Sequence, residues 1–275
     1  MIDVSVIITT RDEENNIKNC LTSIERQSYP KNRVEIIVVD NNSSDKTKEI
    51  SGRYTDKIYN YGPERSAQRN FGIKNAFGKY VLYLDADMIL SEGVIAECVN
   101  KCEESGLLAL YIPERIIGTG FWIRVRDFER GFYNATVIDC VRFIRRDKFL
   151  EIKGFDENLT GPEDWDLDRR IRKAGVVDII DSPIYHNEGR FCLQKYLNKK
   201  KYYATDFRNY IGKWGKDDYI IKKQFGFWYR LFGVFIENGK WKKTLAHLGL
   251  ASGMIALKYM VGIFHIKQKF IDENK

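Results

Sequence analysis

Apolar runs of strand length alternate with segments of helical periodicity through the first part of this chain, and that alternation limits its fold more than any other feature. Val4-Ser5-Val6-Ile7-Ile8 precedes a helical stretch around Ile17, Cys20, Leu21 and Ile24, and Val34-Glu35-Ile36-Ile37-Val38-Val39 precedes another beginning near Ser43. Lys57-Ile58-Tyr59 leads into Ser66-Ala67-Gln68-Arg69-Asn70-Phe71-Gly72-Ile73, and a fourth run, Val81-Leu82-Tyr83-Leu84, ends at Asp85. Repeated βα units joined by right-handed crossovers make a doubly wound sheet with helices on both faces. The predicted class is therefore α/β, with a mostly parallel sheet whose ligands bind beyond the carboxyl ends of the strands.

Acid collects at those ends. Asp12 and Glu13 follow the first run, Asp40 ends the second, and Asp85-Ala86-Asp87 ends the fourth. An ionised carboxylate taken out of water costs several kcal/mol unless something compensates it. A hard divalent cation, Mg²⁺ or Mn²⁺, carrying a substrate diphosphate supplies that compensation. The alternative for an isolated Asp-x-Asp is a solvated turn after a strand.

The chain has 275 residues, 44% of them hydrophobic, enough to bury a substantial core in one large domain or two small ones. Cys20, Cys98, Cys102, Cys140 and Cys192 show no metal-ligand spacing, and Cys98 and Cys102, four apart, are expected to pack on one helix face. A reducing compartment follows. No basic segment followed by an apolar one marks a signal peptide near Met1, so the expected location is cytoplasmic. The net charge of +7 is unevenly spread, because residues 190–275 carry 18 Lys+Arg against 6 Asp+Glu. Lys199-Lys200-Lys201 and Lys242-Lys243 are interleaved there with Trp214, Phe225, Phe227, Trp228, Tyr229, Phe232, Phe235 and Trp241. Such a region suits nucleic acid or an anionic membrane surface, and composition does not choose between them.

The motifs taken together resemble the inverting family-2 glycosyltransferases, whose fold is the nucleotide-diphospho-sugar-binding type called GT-A. The resemblance covers roughly residues 3–210 and rests on several segments in order. They are Val6-Ile7-Ile8-Thr9-Thr10-Arg11-Asp12-Glu13-Glu14-Asn15-Asn16-Ile17, Val38-Val39-Asp40-Asn41-Asn42-Ser43-Ser44-Asp45, Ala67-Gln68-Arg69-Asn70-Phe71-Gly72, Asp85-Ala86-Asp87 and Glu163-Asp164-Trp165. It implies that Asp40 accepts a hydrogen bond from the base of the nucleotide, with capping of the helix after Ser43 as the local alternative. Thr9 and Glu13 would lie against base and ribose, although Thr9 stands where the family usually has proline and Arg11 where it has an aromatic. Arg69 would reach the base or diphosphate as a fixed donor; otherwise it is a helix-surface arginine. Asp85 would face ribose and metal, Asp87 would ligate the metal, and His186 sits where related enzymes carry a histidine touching metal or diphosphate, with a structural histidine as the alternative.

Glu163 to Gly175 reads as a helix on its own pattern. Leu167, Ile171 and Ala174 share a face, acids fill the first turn and bases the last, and Gly175 suits the position just past the end. First-turn acids by themselves stabilise a helix dipole. The resemblance makes Asp164 the catalytic base, with Gly161-Pro162 pinning the helix start beneath it. Glu163 and Trp165 are candidate acceptor contacts, as are Trp122 and Arg124 in Gly118-Thr119-Gly120-Phe121-Trp122-Ile123-Arg124-Val125-Arg126. That segment reads equally as the start of an amphipathic helix through Phe128 and Phe132.

Beyond about residue 212 the resemblance ends. The division expected is a GT-A catalytic domain over 1–212 and a basic, aromatic-rich helical extension over 213–275. The apolar stretch of residues 245–266 is interrupted by His247, Lys258 and His265, and a spanning helix needs about 20 predominantly apolar residues. The extension is expected in the membrane interface, with a packed helical subdomain or an oligomer contact as alternatives. The expected activity is metal-dependent, inverting transfer from a nucleotide-diphospho-sugar, UDP favoured over GDP, to a hydroxyl of a lipid-linked or cell-surface glycan precursor. A polyprenyl-phosphate sugar synthase is the alternative enzyme. Nucleic-acid binding by the basic tail is the alternative from another class, and it leaves the acidic rim unexplained.

Overall fold

A computed structural model describes the backbone of residues 1–203 and 206–273, and side chains up to residue 264. The first part follows the expected alternation: β1 (Val4–Thr10), α1 (Ile17–Glu25), β2 (Val34–Asp40), α2 (Thr47–Ser51), β3 (Ile58–Asn60), α3 (Arg65–Lys74) and β4 (Tyr80–Asp85). There follow β5 (Met88–Leu90), α4 (Val94–Ser105), β6 (Ala109–Tyr111), β7 (Glu114–Thr119), α5 (Phe121–Arg130), β8 (Phe143–Arg145), α6 (Arg146–Glu151), α7 (Glu163–Ala174), β9 (Val177–Ile179) and β10 (Ile184–Arg190). Helices α8 (Leu193–Tyr203), α9 (Phe207–Trp214), α10 (Tyr219–Phe225), α11 (Val234–Ile236), α12 (Trp241–Ala246) and α13 (Leu248–Glu273) complete the described chain.

Seven strands form the main sheet in the order β3-β2-β1-β4-β8-β6-β9, parallel except where β8 runs against β4 and β6. Every residue of β1 is buried, as expected of a parallel strand covered by helices on both faces. Successive side chains point to opposite faces. Accordingly Val6 and Ile8 enter one core with Leu21, Leu82 and Cys98, while Ile7 enters the other with Val39, Tyr83, Leu167 and Ile171. Cys98 and Cys102 both pack on the buried face of α4.

Two registers bring the acids together. Thr9 lies beside both Val39 and Asp85, and Thr10 beside Asp40, so β1, β2 and β4 end level. A second sheet, β5-β10-β7, starts from the residues just past that rim. His186 of β10 pairs with Met88 of β5, and Ile184 pairs with Glu114 of β7.

Helix α7 forms as its periodicity predicts, with Leu167 and Ile171 fully buried. Gly161, two residues before it, has φ of +100, and a Cβ there would lie 2.2 Å from the Tyr203 carbonyl oxygen, so only glycine fits. Gly175 differs from expectation. Its backbone is extended, with φ 177, and glycine serves there because α7 ends against the Leu108 side chain.

Past residue 212 the chain packs back on the sheet domain. Ile221 and Phe225 of α10 join Leu159, Trp165 and Tyr210 in one cluster. Ala251 and Met254 of α13 join Val234, Phe235, Val125, Phe128 and Phe132 in another. Lys258, which interrupts the apolar pattern, is an internal ion-pair partner, with Nζ 3.0 Å from Glu129 Oε1. Among the described residues no helix is long and apolar enough to cross a membrane. The side chains of His265 and Ile266, part of the expected interfacial stretch, lie outside the described residues.

Candidate active site at the strand-end rim

Arg69 organises the rim. It projects from α3 with its side chain 1% exposed, donating Nη2 to Asp85 Oδ1 and Nη1 to Asp164 Oδ1, each at 2.9 Å. Its guanidinium lies 4.7 Å over the ring of Tyr83 and 5.2 Å over that of Phe155, which fixes its plane. The alternative of a helix-surface arginine is ruled out, and Arg69 joins the acid ending β4 to the acid opening α7. Burial alone would raise the Asp85 carboxyl, but Arg69 and Arg65 outweigh it and hold the group well below the usual carboxylate range.

Arg65, one helical turn earlier, stands 3.6 Å from Asp85 Oδ2 and 3.5 Å from Glu163 Oε1. The four-residue spacing from Arg69 on one helix was the available signal for it. Glu163 is almost wholly buried. Burial first, and then the Asp164 charge, raise its carboxyl to about 7 despite Arg65 and Arg69. Its Oε2 is buried with no hydrogen-bond partner. Asp164 is the more accessible of the pair, with its side chain 26% exposed.

The second sheet builds the other end. His186 places Nε2 3.0 Å from Asp87 Oδ2 and Nδ1 3.1 Å from Glu114 Oε1. Burial alone would lower the imidazole, yet the hydrogen bonds to Asp87 and Glu114 raise it to about 10. Asp87 Oδ1 is buried and unpartnered. A carboxylate oxygen left open beside an imidazole, with a second carboxylate holding the far ring nitrogen, is the chemistry of a divalent-metal site and its outer shell. Asp87 and His186 are the residues that would hold such an ion, its binding displacing the proton that the two carboxylates favour on the imidazole. Among the described residues no group of three or more His, Cys, Asp or Glu side chains is placed to hold one. Asp85, expected to face ribose and metal, is paired with Arg69 and stands 3.6 Å from Arg65. Sequence reasoning missed Glu114; its signal was a lone acid just past the apolar run 107–112.

The nucleotide candidates line the same edge. Thr9 donates its hydroxyl to Asp85 Oδ1 at 3.1 Å. Asp40 is fully buried, and its two oxygens accept the Ser43 backbone N–H, at 2.8 Å, and the Ser43 hydroxyl, which closes the turn after β2 without capping α2, whose first residue is Thr47. Glu13 accepts from Asn16 at 2.7 Å, and burial raises its carboxyl.

The acceptor candidates separate. The segment around residues 121–130 is the helix α5, with Arg124 exposed and Trp122 packed against Phe121 and Phe191. Trp165 stacks on Phe207 and meets Phe225 edge-on, and it borders the cavity beside Asp164.

The fold is of the GT-A type: the mannosyltransferase PcManGT of Pyrobaculum calidifontis, solved with GDP-Man and Mn²⁺, superposes with a TM-score of 0.61 at 18% identity, covering 98% of this chain and 79% of that one. A model of Glycosyl transferase family 2 matches residues 5–157, and the chain belongs to that family. It is 29% identical over 198 residues to the minor teichoic acid biosynthesis protein GgaB of Bacillus subtilis, covering 64% of this chain but 22% of that protein. It is 28% identical over 272 residues to a Methanococcus voltae enzyme named as a dolichyl N-acetyl-α-D-glucosaminyl phosphate 3-β-D-2,3-diacetamido-2,3-dideoxy-β-D-glucuronosyltransferase, covering 86% of this chain and 82% of that one.

Proposed function

We propose that this protein is a metal-dependent, inverting glycosyltransferase that moves a sugar from a nucleoside-diphospho-sugar to a hydroxyl of a lipid-linked or cell-surface glycan precursor. The observation that carries the reading is the sharing of Arg69 between Asp85 and Asp164. One buried guanidinium ties the acid at the donor-binding strand end to the acid best placed as base, so both ends of a displacement are held within a single side chain's reach. Asp164 receives the proton of the acceptor hydroxyl, and its attack on the anomeric carbon from the face opposite the leaving group inverts configuration. Arg69 holds the Asp164 carboxylate in place, and Arg65, a third exposed, stands ready to meet a phosphate. A divalent ion on Asp87 and His186 would neutralise the leaving diphosphate. Thr9, Glu13 and Asp40 edge the space assigned to base and ribose, with UDP preferred over GDP.

The protein works at the cytoplasmic membrane face in this reading. Phe227, Trp228, Phe232 and Trp241 are exposed, as are Lys222 and Lys242 in the same stretch, a combination suited to lying in an anionic interface. Full-length protein should sediment with anionic liposomes, less at high salt but still measurably.

A thermal-shift panel of UDP, GDP and their sugars, with and without Mn²⁺, tests the core of the proposal. Stabilisation by a nucleoside diphosphate that needs Mn²⁺ is expected. A protein indifferent to every one of them is not a nucleotide-sugar transferase.

A further inference from the structure

A cavity of about 410 Å³ lies beside Asp164, between α7, α8, α13 and the segment before β8. Its size suits a sugar- or polyol-sized group with one further substituent. None of Asp85, Asp87 and His186 borders it, so it is separate from the diphosphate end of the rim. Its walls are rich in positive charge, and the charges are unequally matched.

Arg130 is paired with Asp139 at 2.7 Å, and Lys258 with Glu129 at 3.0 Å. Arg142 gives one nitrogen to Glu114 at 3.2 Å, but its Nη1 is buried with no partner on a side chain only 8% exposed. Lys200 and Arg230 also line the cavity, and among the described residues neither has a carboxylate at ion-pair distance. Burial and the neighbouring Arg126 and Arg230 push Lys200 down to about 7 against the pull of Glu129, as happens to an amine short of negative charge. Uncompensated cations in a half-buried space cost several kcal/mol, and an anionic ligand removes that cost. Asp164, at the edge of the same cavity, is the group an anion would avoid and a hydroxyl would seek.

We propose that this cavity is the acceptor subsite and that the acceptor carries a phosphate group, held by Lys200, Arg230 and Arg142 Nη1 while a hydroxyl of the same molecule faces Asp164. The assignment rests on the transferase reading above and adds the chemical class of the acceptor. In the transfer, the hydroxyl proton passes to Asp164, the acceptor oxygen bonds to the anomeric carbon, and the bond to the diphosphate breaks to release the nucleoside diphosphate. The acceptor phosphate is bound throughout and does not react.

The test uses full-length protein saturated with whichever of UDP or GDP it binds, titrated calorimetrically. The probes are glycerol 3-phosphate and farnesyl phosphate, each beside its neutral parent, glycerol or farnesol. At least one phosphorylated probe should bind tenfold or more tightly than its parent without displacing the nucleotide. Tighter glycerol 3-phosphate makes the acceptor a polyol phosphate, and tighter farnesyl phosphate, which has no hydroxyl of its own, makes it a lipid-linked sugar phosphate whose sugar carries the reacting hydroxyl. Lys200→Gln with Arg230→Gln should erase the preference while nucleotide binding stays within twofold. Arg230→Gln alone should weaken it several-fold if the double variant does not fold. Equal binding of phosphate and parent, displacement of the nucleotide by the probe, or a preference that survives in the variants would each overturn the proposal. If no nucleotide binds at all, the transferase reading fails, and the phosphate preference is then read on the nucleotide-free protein.

Discussion

Asp85 and Asp87 stand one residue apart, yet the two regions they belong to are built on opposite plans. On the side of the seven-stranded sheet, Asp85 and Asp164 are ion-paired to Arg69, and Arg65 stands between Asp85 and Glu163, whose second oxygen is buried without a partner. On the side of the three-stranded sheet, Asp87 has one oxygen on His186 and the other buried without a partner. The ion pairs of Arg69 fix geometry whether or not substrate is present. An open carboxylate oxygen does little for the fold and awaits a ligand, so stability and binding should divide between the two regions.

The largest effect should come from Asp164→Asn, which keeps shape and the oxygen facing Arg69 but removes the proton acceptor. Turnover should fall by roughly a hundredfold or more, with nucleotide affinity near wild type. Loss of nucleotide affinity instead would merge the two functions of the rim. Next is Asp87→Ala, which should weaken Mn²⁺-dependent nucleotide binding by about 10- to 100-fold with little change in Tm. If the melting point drops as well, the open side is structural and the contrast breaks.

Arg69→Met should show the reverse pattern. Removing the shared partner of two acids from a site where it is 1% exposed should cost about 3 kcal/mol, or roughly 6–10 °C in Tm, in a melt without ligands. Glu163 gives a finer test by pH. Its carboxyl is raised to about 7, above the ordinary 4.5, so the folded chain keeps a proton that the unfolded chain has released. Stability is therefore full below about pH 4.5 and declines as pH rises towards 7. Glu163→Gln should be the more stable form by about 1–2 kcal/mol at pH 8 but not at pH 4.5, measured by urea unfolding. Asp168, raised to about 7 by burial, leaves some of the slope in the variant. The smallest effect belongs to Arg124→Ala on the outer face of α5, where kcat/KM should change less than twofold.

The strand ends, the acids upon them and helix α7 were legible because each follows from a local pattern: an apolar run cut off by charge, or apolar residues at helical spacing. The same logic placed Cys98 and Cys102 on one face of α4. The partners of those acids were not legible. Arg69 meets Asp164 across 95 residues, and His186 meets Asp87 across 99. Arg142 showed only as a charge in an apolar run, and Glu114 only as an acid after one. Lys258 read as an interruption of an apolar helix, when in the fold it answers the buried charge of Glu129.

By itself the sequence determined that the chain would form an α/β sheet with acid along one rim, since periodicity and charge placement act over a few residues. Which acids are neutralised, which oxygen is left open, and which cations line the cavity beside Asp164 were decided by the tertiary structure. Those outcomes depend on burial and on charges a few ångströms apart in space but scores of residues apart in the chain, and Coulomb interactions follow the first distance only.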